Sequence, residues 1–165
     1  MDVAIDITVT CQTWQDDLPD AATLVEAAAR AAVAMAPPSA TGAIEVSIVL
    51  ADDEMVHHLN RQYRDKDKPT NVLSFPNDDA SATVGEPALL GDVVLAHGVV
   101  TRETAAQGKT LAAHLSHLVV HGVLHLLGQD HETDDEAQAM EATETAVLRQ
   151  LGFDDPYAPR AGAPI

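Results

Sequence analysis

From Thr110 to Leu127 the chain reads TLAAHLSHLVVHGVLHLL, a run whose polar members after the first threonine are one serine and four histidines. At about 3.6 residues per turn the four histidines fall on one face and the rest of the surface is almost wholly apolar, and a helix with so broad an apolar surface is stable in water only when other elements enclose it. This stretch must therefore be a central core helix, and the rest of the chain must supply its cover.

The end of that helix carries chemistry. His121 and His125 are four residues apart, so their side chains share one face, one turn above the other. Gly128 follows, and a glycine takes the left-handed conformation that ends a helix and turns the chain back, which brings His131 toward the first two imidazoles. A single histidine here would be read as a core residue satisfied by a backbone carbonyl. Three around a glycine predict a metal site. Three neutral nitrogen ligands leave a tetrahedral ion with one open position, where a water becomes acidic, which is the mark of a catalytic site. One zinc ion is the default, although imidazole ligands also suit nickel, cobalt and copper. The spacing HxxxHxxGxxH is shared with metzincin proteases, whose motif has a glutamate base where this chain has Gly122. A glycine accepts no proton, so the peptidase reading loses its base while the metal reading survives.

Elsewhere, Val3, Ile5, Ile7 and Val9 alternate with mostly polar neighbours and predict a strand with one buried face. A helix is expected from Pro19 to Ala36, ended by Pro37 and Pro38, and a strand from Ile44 to Leu50. Asp52 is a candidate N-cap for a helix to about Arg64, with Asp53 and Glu54 at the favourable end of its dipole. Asn71 to Phe75 and Leu89 to Ala96 read as strands separated by a polar loop from Asn77 to Pro87. Helices from Val99 to Gln107, stopping at Gly108, and from Asp134 to Leu151 complete the pattern, with Met140, Val147, Leu148 and Leu151 as the last buried stripe. Strands and helices interleave without strict alternation. The expected fold is α+β: a single domain over residues 1–157, one mixed sheet of about four strands covered by helices, with the metal-binding helix central. The tail from Asp154, and residues 158–165 in particular, reads as flexible.

The 165 residues, 46% of them apolar, suffice to bury such a core. Cys11 is the single cysteine, no stretch reads as a membrane span, and the first residues lack the basic flank and apolar run of a signal peptide, so a cytoplasmic protein is expected. The net charge of −17 argues against a broad embrace of nucleic acid, yet Arg61, Arg64, Lys66 and Lys68 cluster at one helix end. On charge alone that cluster is equally a solvated helix end.

Two segments together identify a family. HGVLHLLGQDH, and the run from Leu59-Asn60 through Tyr63-Arg64 to Lys66-Asp67-Lys68-Pro69-Thr70-Asn71-Val72-Leu73-Ser74-Phe75-Pro76, resemble the YbeY family of bacterial endoribonucleases. Leu90-Gly91-Asp92-Val93 and the acidic helix after His131 fit the same pattern, so the resemblance extends from the first strand to about Tyr157. It implies a zinc-dependent endoribonuclease that is specific for single strands. It further implies action at the 3′ end of small-subunit ribosomal RNA and in ribosome quality control, with the ribosome or its proteins as partners. It implies His121, His125 and His131 as zinc ligands, and it maps the family's functional arginine onto Arg64. A guanidinium there would hold two phosphate oxygens through paired hydrogen bonds as negative charge builds during cleavage.

Lys66 and, more weakly, Lys68 are candidates for backbone phosphates. Asp130 would orient a histidine, accept a proton from the metal's water, or cap the final helix. His117, one turn before His121, would be a second support for the site, a proton relay, a substrate contact or a packed core residue. His114 reads more readily as packing, and His57, His58 and His97 as structural or surface residues. The chain departs from the family at Gln129, where the family has tyrosine and which reads as a surface variation, and in its acidity, which confines RNA contact to one groove unless a partner supplies positive surface. The competing readings are a ribosome-assembly factor with a mainly structural zinc and a metal-dependent hydrolase of another substrate.

Overall fold

The computed structural model describes residues 2–38, 42–77 and 88–158. In chain order its elements are β1 (Val3–Val9), α1 (Thr13–Asp17), α2 (Ala21–Met35), β2 (Ile44–Ala51), α3 (Asp53–Arg64), β3 (Val72–Pro76), β4 (Ala88–Ala96), α4 (His97–Gln107), α5 (Leu111–Leu126) and α6 (Asp134–Gln150). Among the described residues the strands form one sheet in the order β1-β2-β4-β3, parallel except for β3, which runs antiparallel to β4. The architecture is the expected α+β fold with a four-stranded mixed sheet.

Strand patterning decides the layers. In β2, Ile44, Val46, Ile48 and Leu50 are buried on the face that carries the main core, where they meet Val93 and Leu95 of β4 and residues of α2 and α5. Alternate residues of β4, Val94 and Ala96, face the other way and join Ala51, Val56 and Leu73 in a smaller cluster beneath α3. The central β4 is therefore apolar on both faces, whereas edge strand β1 alternates half-buried with exposed residues. Helix α5 contacts β3 and β4 on one side and α2 and α6 on the other, enclosed as its composition demands. Gly122 allows the close approach, since a Cβ there would lie 2.7 Å from Val93 Cγ1 and 3.1 Å from Ser74 Oγ.

Local signals place most element ends. Asp52 accepts from the Met55 N–H at 2.8 Å, and Thr110 and Thr133 cap α5 and α6 in the same way. The short α1 has no counterpart in the sequence reading. A helix of five residues carries little periodicity, and this one is held by tertiary contact: Trp14 is fully buried and donates from Nε1 to the Ala51 carbonyl at 2.8 Å. Helix α2 begins at Ala21 rather than Pro19, because Leu18 closes α1. The expected loop from Asn77 to Pro87 lies, past Asn77, outside the described residues, as does the expected tail over 159–165. The segment from Asp154 to Ala158 departs from the flexible reading, because Asp155 Oδ1 accepts from Tyr157 N–H and Thr145 Oγ1 while Lys109 Nζ donates to the Pro156 carbonyl. Among the described residues no helix is long and apolar enough to cross a membrane.

His114 is a packing residue of α5, buried with Nε2 paired to Glu103 of α4 at 2.9 Å. Burial lowers its pKa from 6.5, helped by Lys109 and His117 and opposed by Glu103. The unfolded chain therefore takes up this proton first on acidification. The group's contribution to stability is complete above about pH 6.5 and is lost as pH falls through the lowered folded value. Urea unfolding at a series of pH values is expected to show a shallower acid loss in His114→Gln than in the wild type.

Candidate metal centre

Helix α5 ends in a hydrogen-bonded reversal. Gly128 takes φ 95°, its N–H reaches the His125 carbonyl at 3.0 Å, and the Gln129 N–H reaches the Leu124 carbonyl at 3.0 Å. The turn delivers His131 to the face that carries His121 and His125. Ring centroids lie 4.7 Å apart for His121 and His125, 5.0 Å for His125 and His131, and 5.5 Å for His121 and His131. One nitrogen from each lies within 4.8 Å of the other two, and this is the only such group among the described residues. The donor set fits a divalent metal: three imidazoles, with no fourth protein ligand among the described residues, at the wall of an open cleft. Burial lowers the pKa of His125, as do His121 and His131, against the opposing pull of Asp130 and the Gln129 backbone. A neutral imidazole is the form that ligates.

Behind the triad lies a residue that the sequence reading missed. Glu144 of α6 is 1% exposed, with Oε2 3.0 Å from His121 Nδ1 and Oε1 2.5 Å from His117 Nε2 and 2.6 Å from the Tyr157 hydroxyl. Burial pushes its carboxyl pKa up, but hydrogen bonds from His117, His121 and Tyr157 prevail and hold it at about 2. The signal was present in the sequence, since Glu144 falls four residues after Met140 and three before Val147, inside the apolar stripe of α6. His117 thus resolves as a buried partner of Glu144 rather than as a substrate contact.

The triad opens onto a cleft of about 950 Å³ between the end of α5 and the sheet edge. Arg64 also lines it. Its Nη2 donates to the Ser74 carbonyl at 2.6 Å and its guanidinium sits 5.3 Å from the centre of the Phe75 ring, while Ser74 Oγ donates to the Gly122 carbonyl at 3.2 Å. One strand, β3, therefore ties Arg64 to the helix that carries the triad. Lys66 and Lys68 are exposed and are not among the described residues that line the cleft. Their loop is pinned from below by buried Asn60, whose Nδ2 donates to the Lys68 carbonyl at 2.8 Å.

Asp130 lines the cleft, and its Oδ1 accepts from the His131 N–H at 2.8 Å. It does not cap α6, because Thr133 does. Gln129 is half-buried in the cleft wall, so it is not a simple surface variation. His97 and His57 pair with Asp17 and Asp67, away from the triad, as structural or surface residues do.

Residues 8–152 match the family model described as Endoribonuclease YbeY. A protein of that name from Paramagnetospirillum magneticum is 53% identical over 161 residues, covering 95% of this chain and 96% of the relative. Another from Azorhizobium caulinodans is 53% identical over 154 residues, covering 93% and 96%. A solution structure of a Thermotoga maritima protein shares the fold, with a TM-score of 0.52 at 21% identity, covering 94% of this chain and 99% of that one.

Proposed function

The chain belongs to the YbeY endoribonuclease family, and from that premise we propose that it is a zinc-dependent endoribonuclease of single-stranded RNA. The observation that carries this reading is the cleft itself, which is lined by three clustered imidazoles and an arginine.

In this reading His121, His125 and His131 hold one zinc ion. A zinc bound there supplies Lewis acidity and acidifies the water it carries. Arg64 binds the scissile phosphate: one of its five N–H donors is spent on Ser74, which fixes the plane of the guanidinium, and the others remain to grip non-bridging oxygens as their charge grows. Asp130 accepts a proton at Oδ2, its Oδ1 being engaged by the His131 amide. Lys66, outside the cleft, meets the backbone of a strand that continues past Arg64. Tyr63 is 60% exposed and packs edge-on against Phe75 beside Arg64, which offers a ring to an unpaired base, whereas a duplex keeps its bases stacked inside. The net charge of −17 confines RNA contact to this cleft and its rim. In the cell we assign the protein to the cytoplasm, to maturation of the 3′ end of small-subunit ribosomal RNA, and to ribosome quality control in contact with the ribosome.

The test is cleavage of single-stranded and duplex RNA by the purified protein, with and without chelator. Single strands are expected to be cut and chelator to stop the reaction. Arg64→Ala is expected to lower the rate by about a hundred- to a thousand-fold, with Arg64→Lys recovering only part, because an ammonium lacks the planar fork. Absence of chelator-sensitive cleavage of single strands would overturn the proposal.

A further inference from the structure

We propose that Glu144 is the positioning residue of the metal centre, and that the segment from Asp154 to Ala158 holds it in place through Tyr157. This deepens the metal reading above and rests on it, although its first test does not require the metal. Three donors converge on one carboxylate that is almost wholly removed from water. A buried carboxylate survives only with such partners, and an ionised one accepts at both oxygens and donates at neither. His121 must therefore present Nδ1 as an N–H, which leaves its Nε2 lone pair as the atom for the metal. His117 donates from Nε2, and its buried Nδ1 has no hydrogen-bond partner among the described residues, as befits the neutral tautomer with its proton on Nε2. Glu144 thus sets the tautomer of a ligand from a different helix.

Tyr157 extends this support to the segment after α6. Its hydroxyl meets Glu144 Oε1, and its ring packs edge-on against His117 at 5.3 Å. The segment that brings it there is fastened to α6 through Asp155 and to the residue before Thr110 through Lys109 and Pro156. The segment from Asp154 to Ala158 should accordingly govern metal affinity without itself supplying a ligand.

Glutamine at position 144 would present one acceptor and one donor where three donors converge, so at least one partner must change tautomer or go unpaired. Nitrogen-detected NMR of the metal-free wild type is expected to show the His121 proton on Nδ1, and Glu144→Gln to shift or mix that tautomer. Competition with a chromogenic chelator is expected to show zinc affinity about 10- to 100-fold weaker in Glu144→Gln. Tyr157→Phe, which removes only a hydroxyl, is expected to weaken it in the same direction and by less, and it serves if the glutamine variant does not fold. Each affinity is measured on protein shown by circular dichroism to be folded, so a purely structural role would leave it unmoved. Wild-type His121 protonated on Nε2 would overturn the proposal, and so would folded variants with unchanged zinc affinity. Failure of RNA cleavage with the tautomer and affinity results intact would instead count against the nuclease reading alone.

Discussion

His125→Ala is expected to leave a folded protein that no longer retains zinc and cleaves RNA at least about a thousand-fold more slowly. His125 lies at the centre of the triad, with its ring 4.7 Å from one partner and 5.0 Å from the other, so its loss leaves two imidazoles and no cage. Changing a residue that only supports a ligand costs about 10- to 100-fold in metal affinity, and removing a ligand costs more. The fold has less to lose, because His125 is only half-buried and the reversal that ends α5 is made of backbone hydrogen bonds. Thermal unfolding separates the two effects. Zinc at about a thousand times its dissociation constant adds about 4 kcal/mol to the wild type, or roughly 8–16 °C for a chain of this size, and should add almost nothing to His125→Ala. A variant that keeps the zinc-dependent rise would remove His125 from the ligand set.

The second large effect is structural. Gly91→Ala is expected to cost about 3–5 kcal/mol, enough to unfold much of a protein whose total stability is about 5–15 kcal/mol. Gly91 has φ 148°, which L side chains rarely adopt, and it lies where β4 changes register against β2, with Leu90 left between the residues paired to Glu45 and Val46. A Cβ there would fall on the Phe75 carbonyl oxygen and crowd Pro76 Cα at 3.0 Å and Leu126 Cδ2 at 2.8 Å. The first two are backbone atoms of the paired strand and have nowhere to go. Gly122→Ala is the internal comparison, since its clash is with the movable side chains of Val93 and Ser74 and should cost about 1–3 kcal/mol. Urea titration of both variants, with zinc absent, checks the order. A milder Gly91→Ala than Gly122→Ala would show that the strand pair has slack that these contacts deny.

Legibility followed sequence distance. The alternation of β1, the cap at Asp52, the enclosure of α5 and the turn at Gly128 are each set by residues within a turn or two of one another, and each stands where the pattern put it. The exceptions have physical causes. Helix α1 is too short to show a period and exists because Trp14 has a cavity to fill and a carbonyl to reach. Tyr157 looked like part of a loose end because its partners, His117 and Glu144, lie 40 and 13 residues away.

The sequence by itself determined the histidine triad, because His121, His125 and His131 lie within eleven residues and helical geometry plus one glycine turn brings them together without help from the rest of the chain. It also determined the central place of α5, because a helix that is apolar on nearly all but its histidine face has no other stable environment in water. Only the tertiary structure decided what surrounds the triad. Arg64 reaches the cleft because β3 holds both its guanidinium and α5. Lys66 and Lys68, its neighbours in sequence, stay outside because the chain turns away at Asp65, which takes a left-handed φ of 55°. Glu144 became the support of His121 because α6 packs its carboxylate against α5, where the cost of burial obliges it to find every donor within reach.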